Sequence, residues 1–116
     1  MLNILLLLGF ILPTAISNNL EGKWATGLDN TIVEITTNYG VLTGKITDSD
    51  DKKLIGITVI KTVVKNKNGT YSCEIYDPKL KKYFDATLES LQDGKLKVKA
   101  TCCLGFFSET YFWQRI

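Results

Sequence analysis

The chain contains 116 residues, of which 22% are charged and 45% are hydrophobic, and its formal charge is +2 at neutral pH. This length corresponds to a single domain, and so mild a positive charge does not indicate a nucleic-acid-binding protein. The chain has no histidine, which excludes Ser-His-Asp and Cys-His catalysis as well as histidine-based zinc sites.

The first seventeen residues predict a signal peptide. The stretch up to Pro13 is almost entirely apolar, and Ala15 and Ser17 place small side chains at the −3 and −1 positions of a signal-peptidase site. We therefore expect residues 1–17 to be removed before Asn18 and the mature protein to be exported, to the periplasm or to the cell exterior. The alternative is an uncleaved membrane anchor, but an anchor needs about 20 apolar residues, and this run ends sooner.

Residues 18–116 are expected to form one β-barrel domain. Their runs are rich in β-branched residues, turn signals such as Asn68-Gly69 separate them, and no window has a sustained helical period. Eight strands joined mostly by tight turns predict an all-β, antiparallel, up-and-down barrel, whose interior is either packed or large enough for one small ligand. The predicted strands are Lys23–Ala25, Thr31–Thr37, Val41–Asp48, Leu54–Val64, Thr70–Tyr76, Lys82–Ser90, Lys95–Thr101 and Thr110–Arg115.

The clearest alternation lies in the seventh predicted strand. Leu96, Val98 and Ala100 alternate with three lysines, so a one-residue slip in register would bury three ammonium groups. The same alternation predicts that Glu34 and Asp85, each between two apolar residues, face water. A carboxylate-based hydrolase would need two such groups facing each other, and the spacing of the acidic residues shows no such pair.

Trp24 opens the first predicted strand and Arg115 ends the last one. In a closed sheet these two side chains can meet, with the guanidinium over the indole, and seal one end of the barrel. We therefore expect Trp24 and Arg115 to be structural closure residues.

Aromatic side chains are the candidate ligand-binding groups. We expect Tyr71, Tyr83, Phe106 and Phe107 to line or gate the interior, although aromatic residues also dominate the cores of small β proteins. Phe106 and Phe107 precede the last predicted strand. Their two interpretations are a plug over the barrel end and an apolar lip for a ligand or a partner protein.

Three cysteines follow the predicted signal peptide, and an exported protein meets an oxidising compartment. We expect Cys73 to form a disulfide with Cys102 or Cys103, with Cys73–Cys103 as the working pair. A bond between the two adjacent cysteines would need a strained ring. The remaining thiol is expected to be a buried free cysteine; a redox role and intermolecular pairing are the alternatives.

Eight short motifs follow one another along the chain: Gly22-Lys23-Trp24, Gly40-Val41-Leu42-Thr43-Gly44-Lys45-Ile46, Tyr76-Asp77-Pro78, Lys81-Lys82-Tyr83, Ala86-Thr87-Leu88, Asp93-Gly94-Lys95-Leu96-Lys97-Val98, Cys103-Leu104-Gly105 and Trp113-Gln114-Arg115. In this order they resemble an exported bacterial family called domain of unknown function 2147. The resemblance spans most of residues 21–116, and it implies export and a small lipocalin-like barrel without assigning catalytic residues. The segment before the closing Trp is about two residues shorter than in the family pattern, which favours Cys73 as the disulfide partner.

Two functions follow as hypotheses. The first is a non-enzymatic binder of a small apolar or amphipathic ligand inside a lipocalin-like barrel. The alternative is a protein–protein interaction module of the cell envelope with a filled barrel. An interior cavity of at least about 300 Å³ would favour the first. We expect no enzymatic activity, no metal, no cofactor, no nucleic-acid partner and no membrane span after cleavage.

Overall fold

Eight antiparallel strands form one closed barrel in the computed structural model, which describes residues 20–102 and 107–116. Each strand pairs with the next along the chain, and the last returns to the first, so the predicted up-and-down barrel is confirmed. The predicted signal peptide and the residues Cys103 and Phe106 lie outside the described residues. The strands are β1 (Gly22–Ala25), β2 (Ile32–Asn38), β3 (Val41–Asp48), β4 (Thr58–Lys65), β5 (Tyr71–Asp77), β6 (Lys82–Ser90), β7 (Lys95–Cys102) and β8 (Phe107–Arg115).

The core fills the inside of the barrel with side chains from alternate positions of the strands. The pleat of each strand sends successive side chains to opposite faces, so the apolar positions of neighbouring strands meet inside. Aliphatic side chains dominate this core, and two indole rings complete it. The buried hydrophobic residues are Leu20, Trp24, Val33, Ile35, Ile46, Val59, Ile60, Tyr71, Cys73, Ala86, Leu88, Leu96, Val98 and Trp113.

Strand β7 has the predicted register. Leu96 and Val98 are fully buried, and Ala100 is half-buried. Because Lys97 and Lys99 occupy the alternate positions, they face outward, opposite Glu89 and Thr87 of β6. The alternation in the sequence was therefore sufficient to fix which face of this strand is buried.

Strand β4 starts later than the sequence predicts. Leu54 belongs to a short 3-10 helix, Lys52–Leu54, whose first turn is capped by the Asp51 side chain, and the strand begins at Thr58. Within β4 the register to β5 shifts between Lys61 and Val64, so the strand carries one extra residue there. Such a bulge bends the strand, which helps β4 to follow the curvature of a small barrel.

Closure of the barrel uses a short length of sheet. Strand β1 has four residues and β8 has nine. The two strands pair only at Trp24 with Arg115 and at Ala25 with Gln114. Most of β8 therefore pairs with β7 alone.

Candidate functional site

Arg115 and Trp24 meet at the closure of the barrel. The guanidinium carbon of Arg115 lies 4.2 Å from the centroid of the Trp24 ring, and Nη1 donates a hydrogen bond of 2.7 Å to the carbonyl of Glu21. The Trp24 indole N–H donates to the carbonyl of Leu20 at 2.8 Å. The indole is thus covered by a planar cation on one side and anchored at its buried N–H, an arrangement that seals this end of the barrel.

The two best-formed cavities of the described residues lie outside the core. The two best-formed cavities in this part of the chain have volumes of 380 Å³, beside the loop between β1 and β2, and 250 Å³, on the outer face of β6 and β7. None of the buried core residues lines either of them. Packing is tight even at a glycine: a Cβ added to Gly44 would lie 3.1 Å from Ile60 Cβ and 3.2 Å from Val33 Cγ1. Among the described residues, the inward side chains of the barrel pack against one another.

Two of the predicted ligand-binding tyrosines lie on opposite faces of the barrel wall. Tyr71 faces inward and is buried among core residues. Tyr83 faces outward, because its neighbour Phe84 shares the inner face of β6 with Ala86 and Leu88. The prediction that Tyr83 lines the interior is therefore wrong.

The outer position of Tyr83 has its own contacts. The ammonium of Lys61 lies 3.8 Å from the centroid of its ring, and the ring of Tyr76 packs against it at 5.1 Å. Its hydroxyl donates to the carbonyl of Thr58 at 2.7 Å. These contacts hold the ring flat on the outer surface of strands β4 to β6.

Exposed aromatic residues concentrate on β8 and lie on both of its faces. Phe107 and Tyr111 share the face of Trp113, whereas Phe112 lies on the other face, opposite Lys97 of β7. We call these three exposed residues the β8 surface. Their exposed fractions are 68%, 36% and 52% respectively. Among the predicted site residues only Phe107 belongs to this group, and Phe106 lies outside the described residues. A group of large apolar side chains left exposed in a small protein is typical of an interaction site.

Sequence reasoning missed the polar partner of Tyr111. Its hydroxyl donates a 2.9 Å hydrogen bond to Glu109 Oε1, on the same face of β8. Partial burial, together with this hydrogen bond and the negative charge of Glu109, raises the pKa of Tyr111. Residues at i and i+2 of a strand share a face, so this contact could have been predicted from the sequence. The predicted strand began at Thr110, however, and so did not include Glu109.

Cys73 is a free, buried thiol, so the predicted Cys73–Cys103 disulfide is wrong. Cys73 is opposite Ala86 in β6, and Ala86 is opposite Ala100 in β7. Two strand spacings of about 4.8 Å separate Cys73 from β7, which exceeds the Cα separation of about 4.4–6.8 Å that a disulfide needs. Burial, with the negative charges of Glu74 and Asp85 as lesser causes, raises the pKa of Cys73 to about 12. It is a poor nucleophile in the folded protein.

The candidate carboxylates lie on the outer face of the barrel. Glu34 is opposite Lys23 of β1 and Lys45 of β3. Asp85 is exposed and lies opposite Glu74, so two acidic side chains do face each other, but on the outside of the barrel wall and not in its interior. Among residues 20–102 and 107–116, no group of three or more acidic or cysteine side chains could hold a metal ion.

Comparison with protein families identifies the family of this chain. The family model described as an uncharacterized protein conserved in bacteria (DUF2147) matches residues 22–115. The chain belongs to the DUF2147 family. The resemblance seen in the sequence motifs is thus confirmed, and the matched range covers the barrel from β1 to β8.

No curated protein and no solved structure matches this DUF2147 chain. In the part of the chain that the structure describes, no helix is long and apolar enough to cross a membrane.

Proposed function

We propose that this DUF2147 protein is an exported, non-enzymatic protein–protein interaction module of the cell envelope, which works through the β8 surface. The observation that carries the proposal is the filled interior. A ligand-binding barrel needs a cavity of at least about 300 Å³ bordered by its inner side chains. Here the inner side chains pack against one another. This packing supports binding at the outer surface of the barrel, not in its interior.

The exposed aromatic residues of the β8 surface support the proposal that the partner is a protein. Aromatic residues are enriched at the centres of protein interfaces because they bury a large apolar area with few rotatable bonds. Phe107 and Phe112 expose more than half of their area. They lie at the start and near the end of β8 on opposite faces of the strand, so a partner that lies along the edge of β8 can contact both. Their exposure costs hydrophobic free energy in the isolated protein, and contact with a partner removes that cost.

The outward position of the acidic residues supports a role without catalysis. General acid–base chemistry relies on groups whose surroundings shift their pKa and exclude water. Glu34 faces lysines, and Asp85 is exposed on a convex wall. Export itself rests on the predicted signal peptide, and N-terminal sequencing of the secreted protein should start at Asn18.

Capture from the exported fraction of the host tests the proposal. The bait is the tagged mature protein, compared with a Phe107→Ser/Phe112→Ser double variant and with Tyr39→Ser, a matched control at a fully exposed turn between β2 and β3. Captured proteins include untagged copies of the chain itself, produced in the same cells. We expect the same captured protein with the wild type and with Tyr39→Ser, and its loss with the double variant. Equal capture by all three, or capture by none, would contradict the proposal.

A further inference from the structure

The edge of β8 that faces away from β7 is unpaired along most of its length in the described part of the chain. The backbone N–H of Ile116 donates to the carbonyl of Lys23 at 3.0 Å, so at this residue the backbone points toward β1. In an antiparallel strand the backbone groups of every second residue point to the same side. Ser108, Thr110 and Phe112 therefore direct their N–H and C=O groups to the same side as Ile116. Strand β1 ends at Ala25, opposite Gln114, and does not reach them. We call these three backbone positions the β8 free edge.

This edge lacks the usual protection against strand pairing. Proteins guard exposed edges with charges, prolines, bulges or a covering segment. Residues 107–113 contain one charged side chain, Glu109, and no proline, and their pairing with β7 runs without a register shift. Among the described residues, the loop between β1 and β2 makes no backbone hydrogen bond to the β8 free edge. The edge is therefore competent to add a strand.

We propose that the β8 free edge pairs with the same edge of a second copy of the chain, about a two-fold axis at Thr110. This inference rests on the proposed function, since it names the partner of the β8 surface. An antiparallel arrangement with Thr110 opposite itself also sets Ser108 opposite Phe112 of the other copy, in both directions. All three residues of the edge then form hydrogen-bonded pairs, and none of those pairs uses Gln114, which is already paired with β1.

The side chains also fit this register. Each Glu109 lies opposite Tyr111 of the other copy, so the two carboxylates do not face each other, and like charges placed directly opposite would destabilise the pair. Within one chain Glu109 already accepts a hydrogen bond from Tyr111, and the second copy offers the same donor. Phe107 of each copy comes opposite Trp113 of the other, whose ring is already buried in its own core, so the main-chain hydrogen bonds give this strand addition its affinity.

Cysteine cross-linking tests the register directly. Thr110→Cys places two cysteines in a hydrogen-bonded antiparallel pair, with Cα atoms about 5.5 Å apart, within the range of a disulfide. Ser108→Cys is the matched control, because each cysteine then faces Phe112 and its equivalent lies four positions along the antiparallel strand, about 13 Å away. The purified mature protein with its native cysteines provides the background on non-reducing gels.

We expect Thr110→Cys to form a covalent dimer under mild oxidation and Ser108→Cys to remain monomeric on the gel. A mixture of Ser108→Cys with Phe112→Cys should also form a covalent dimer. As a second measurement, Thr110→Pro removes one edge N–H and should shift the light-scattering mass toward the monomer, whereas Thr110→Ala should not. A monomer at every concentration, or equal cross-linking of Thr110→Cys and Ser108→Cys, would overturn the inference. If that happens while aromatic-dependent capture of a different protein persists, the proposed function stands and the second copy is the wrong partner.

Discussion

The Cys73 thiol lies inside the barrel wall, where ionisation is unfavourable. It is buried and belongs to the core, and its pKa rises from 9.0 to about 12 for that reason. The folded state therefore binds a proton that the unfolded state releases above pH 9. By linkage, the stability that Cys73 contributes is fully present below its unfolded pKa and is lost as the pH rises toward the folded pKa.

This linkage predicts a pH dependence that a Cys73→Ala variant lacks. From about pH 8 to about pH 10.5, the free energy of unfolding of the wild type should fall relative to that of the variant, with a slope approaching 1.4 kcal/mol per pH unit. Urea unfolding of both proteins at each pH measures the difference, in which the shared titration of lysines and tyrosines cancels. A constant difference across this range would show that the thiol is not protected by burial.

Tyr83 shows what residue type alone does not reveal. The sequence places Phe84, Ala86 and Leu88 on one face of β6, and strict alternation then puts Tyr83 on the other. Aromatic character instead suggested the interior, because large rings carry most of the hydrophobic free energy in small cores. An amphipathic ring can also lie flat on an outer face under a lysine, as it does here beneath Lys61. For Tyr83, the alternation along the strand predicts the correct face, and aromatic character does not.

Among the strands, β5 and β6 carry a repulsive pair on their outer faces. Glu74 and Asp85 are directly opposite each other, and like charges opposite each other weaken a sheet. One strand further, Glu89 of β6 lies opposite Lys97 of β7. Of the two acidic residues of β6, Asp85 is therefore repelled by its cross-strand neighbour and Glu89 is attracted by its own.

We predict opposite effects for the same kind of substitution at these two positions. Asp85→Lys should raise the free energy of unfolding by about 0.2–1 kcal/mol, and Glu89→Lys should lower it by a similar amount. Both changes should shrink in 1 M salt, where exposed charges are screened. Chemical unfolding at low and high salt measures them, and each variant is the control for the other. Changes of the same sign would mean that charge pairing across these strands does not determine the result.

How well the sequence predicted each strand depends on how regular its alternation is. The predicted ranges of β3 and β6 coincide with the observed ones. The start of β4 was wrong because the apolar run from Leu54 continues through the 3-10 turn into the strand, and hydropathy alone does not separate the two. The start of β8 was wrong because Phe107, Ser108 and Glu109 show no alternation of buried and exposed types, since this part of the strand packs on no core.

For the barrel as a whole, closure depends on few contacts between β1 and β8. The Arg115 guanidinium covers Trp24 at 4.2 Å and bonds to the carbonyl of Glu21. The contact between Trp24 and Arg115 could be predicted from the sequence, because a tryptophan and an arginine at the two ends of a closed sheet can meet there. The sequence could not predict whether the barrel encloses a cavity, since this depends on how the inward side chains pack across strands.

Loss of the guanidinium should loosen the closed end. Arg115→Ala should lower the free energy of unfolding by roughly 1–2 kcal/mol, the sum of one cation–π contact and one hydrogen bond. Arg115→Lys should recover only part of that loss, because an ammonium lacks the planar surface. Urea unfolding measures these values, with Trp24 emission recorded in a Trp113→Phe background. Gln114→Ala is the control, and equal stability of Arg115→Ala and Gln114→Ala would contradict the closure role.

The central claim is that the barrel is filled by its own side chains and acts through its surface. Native mass spectrometry of the mature protein, purified from its own host without denaturant, tests this most directly. We predict the mass of the unmodified polypeptide and of its dimer, with no small molecule released on denaturation. A co-purifying lipid or metabolite that leaves on denaturation, bound at one molecule per chain, would contradict the claim and identify the protein as a ligand binder.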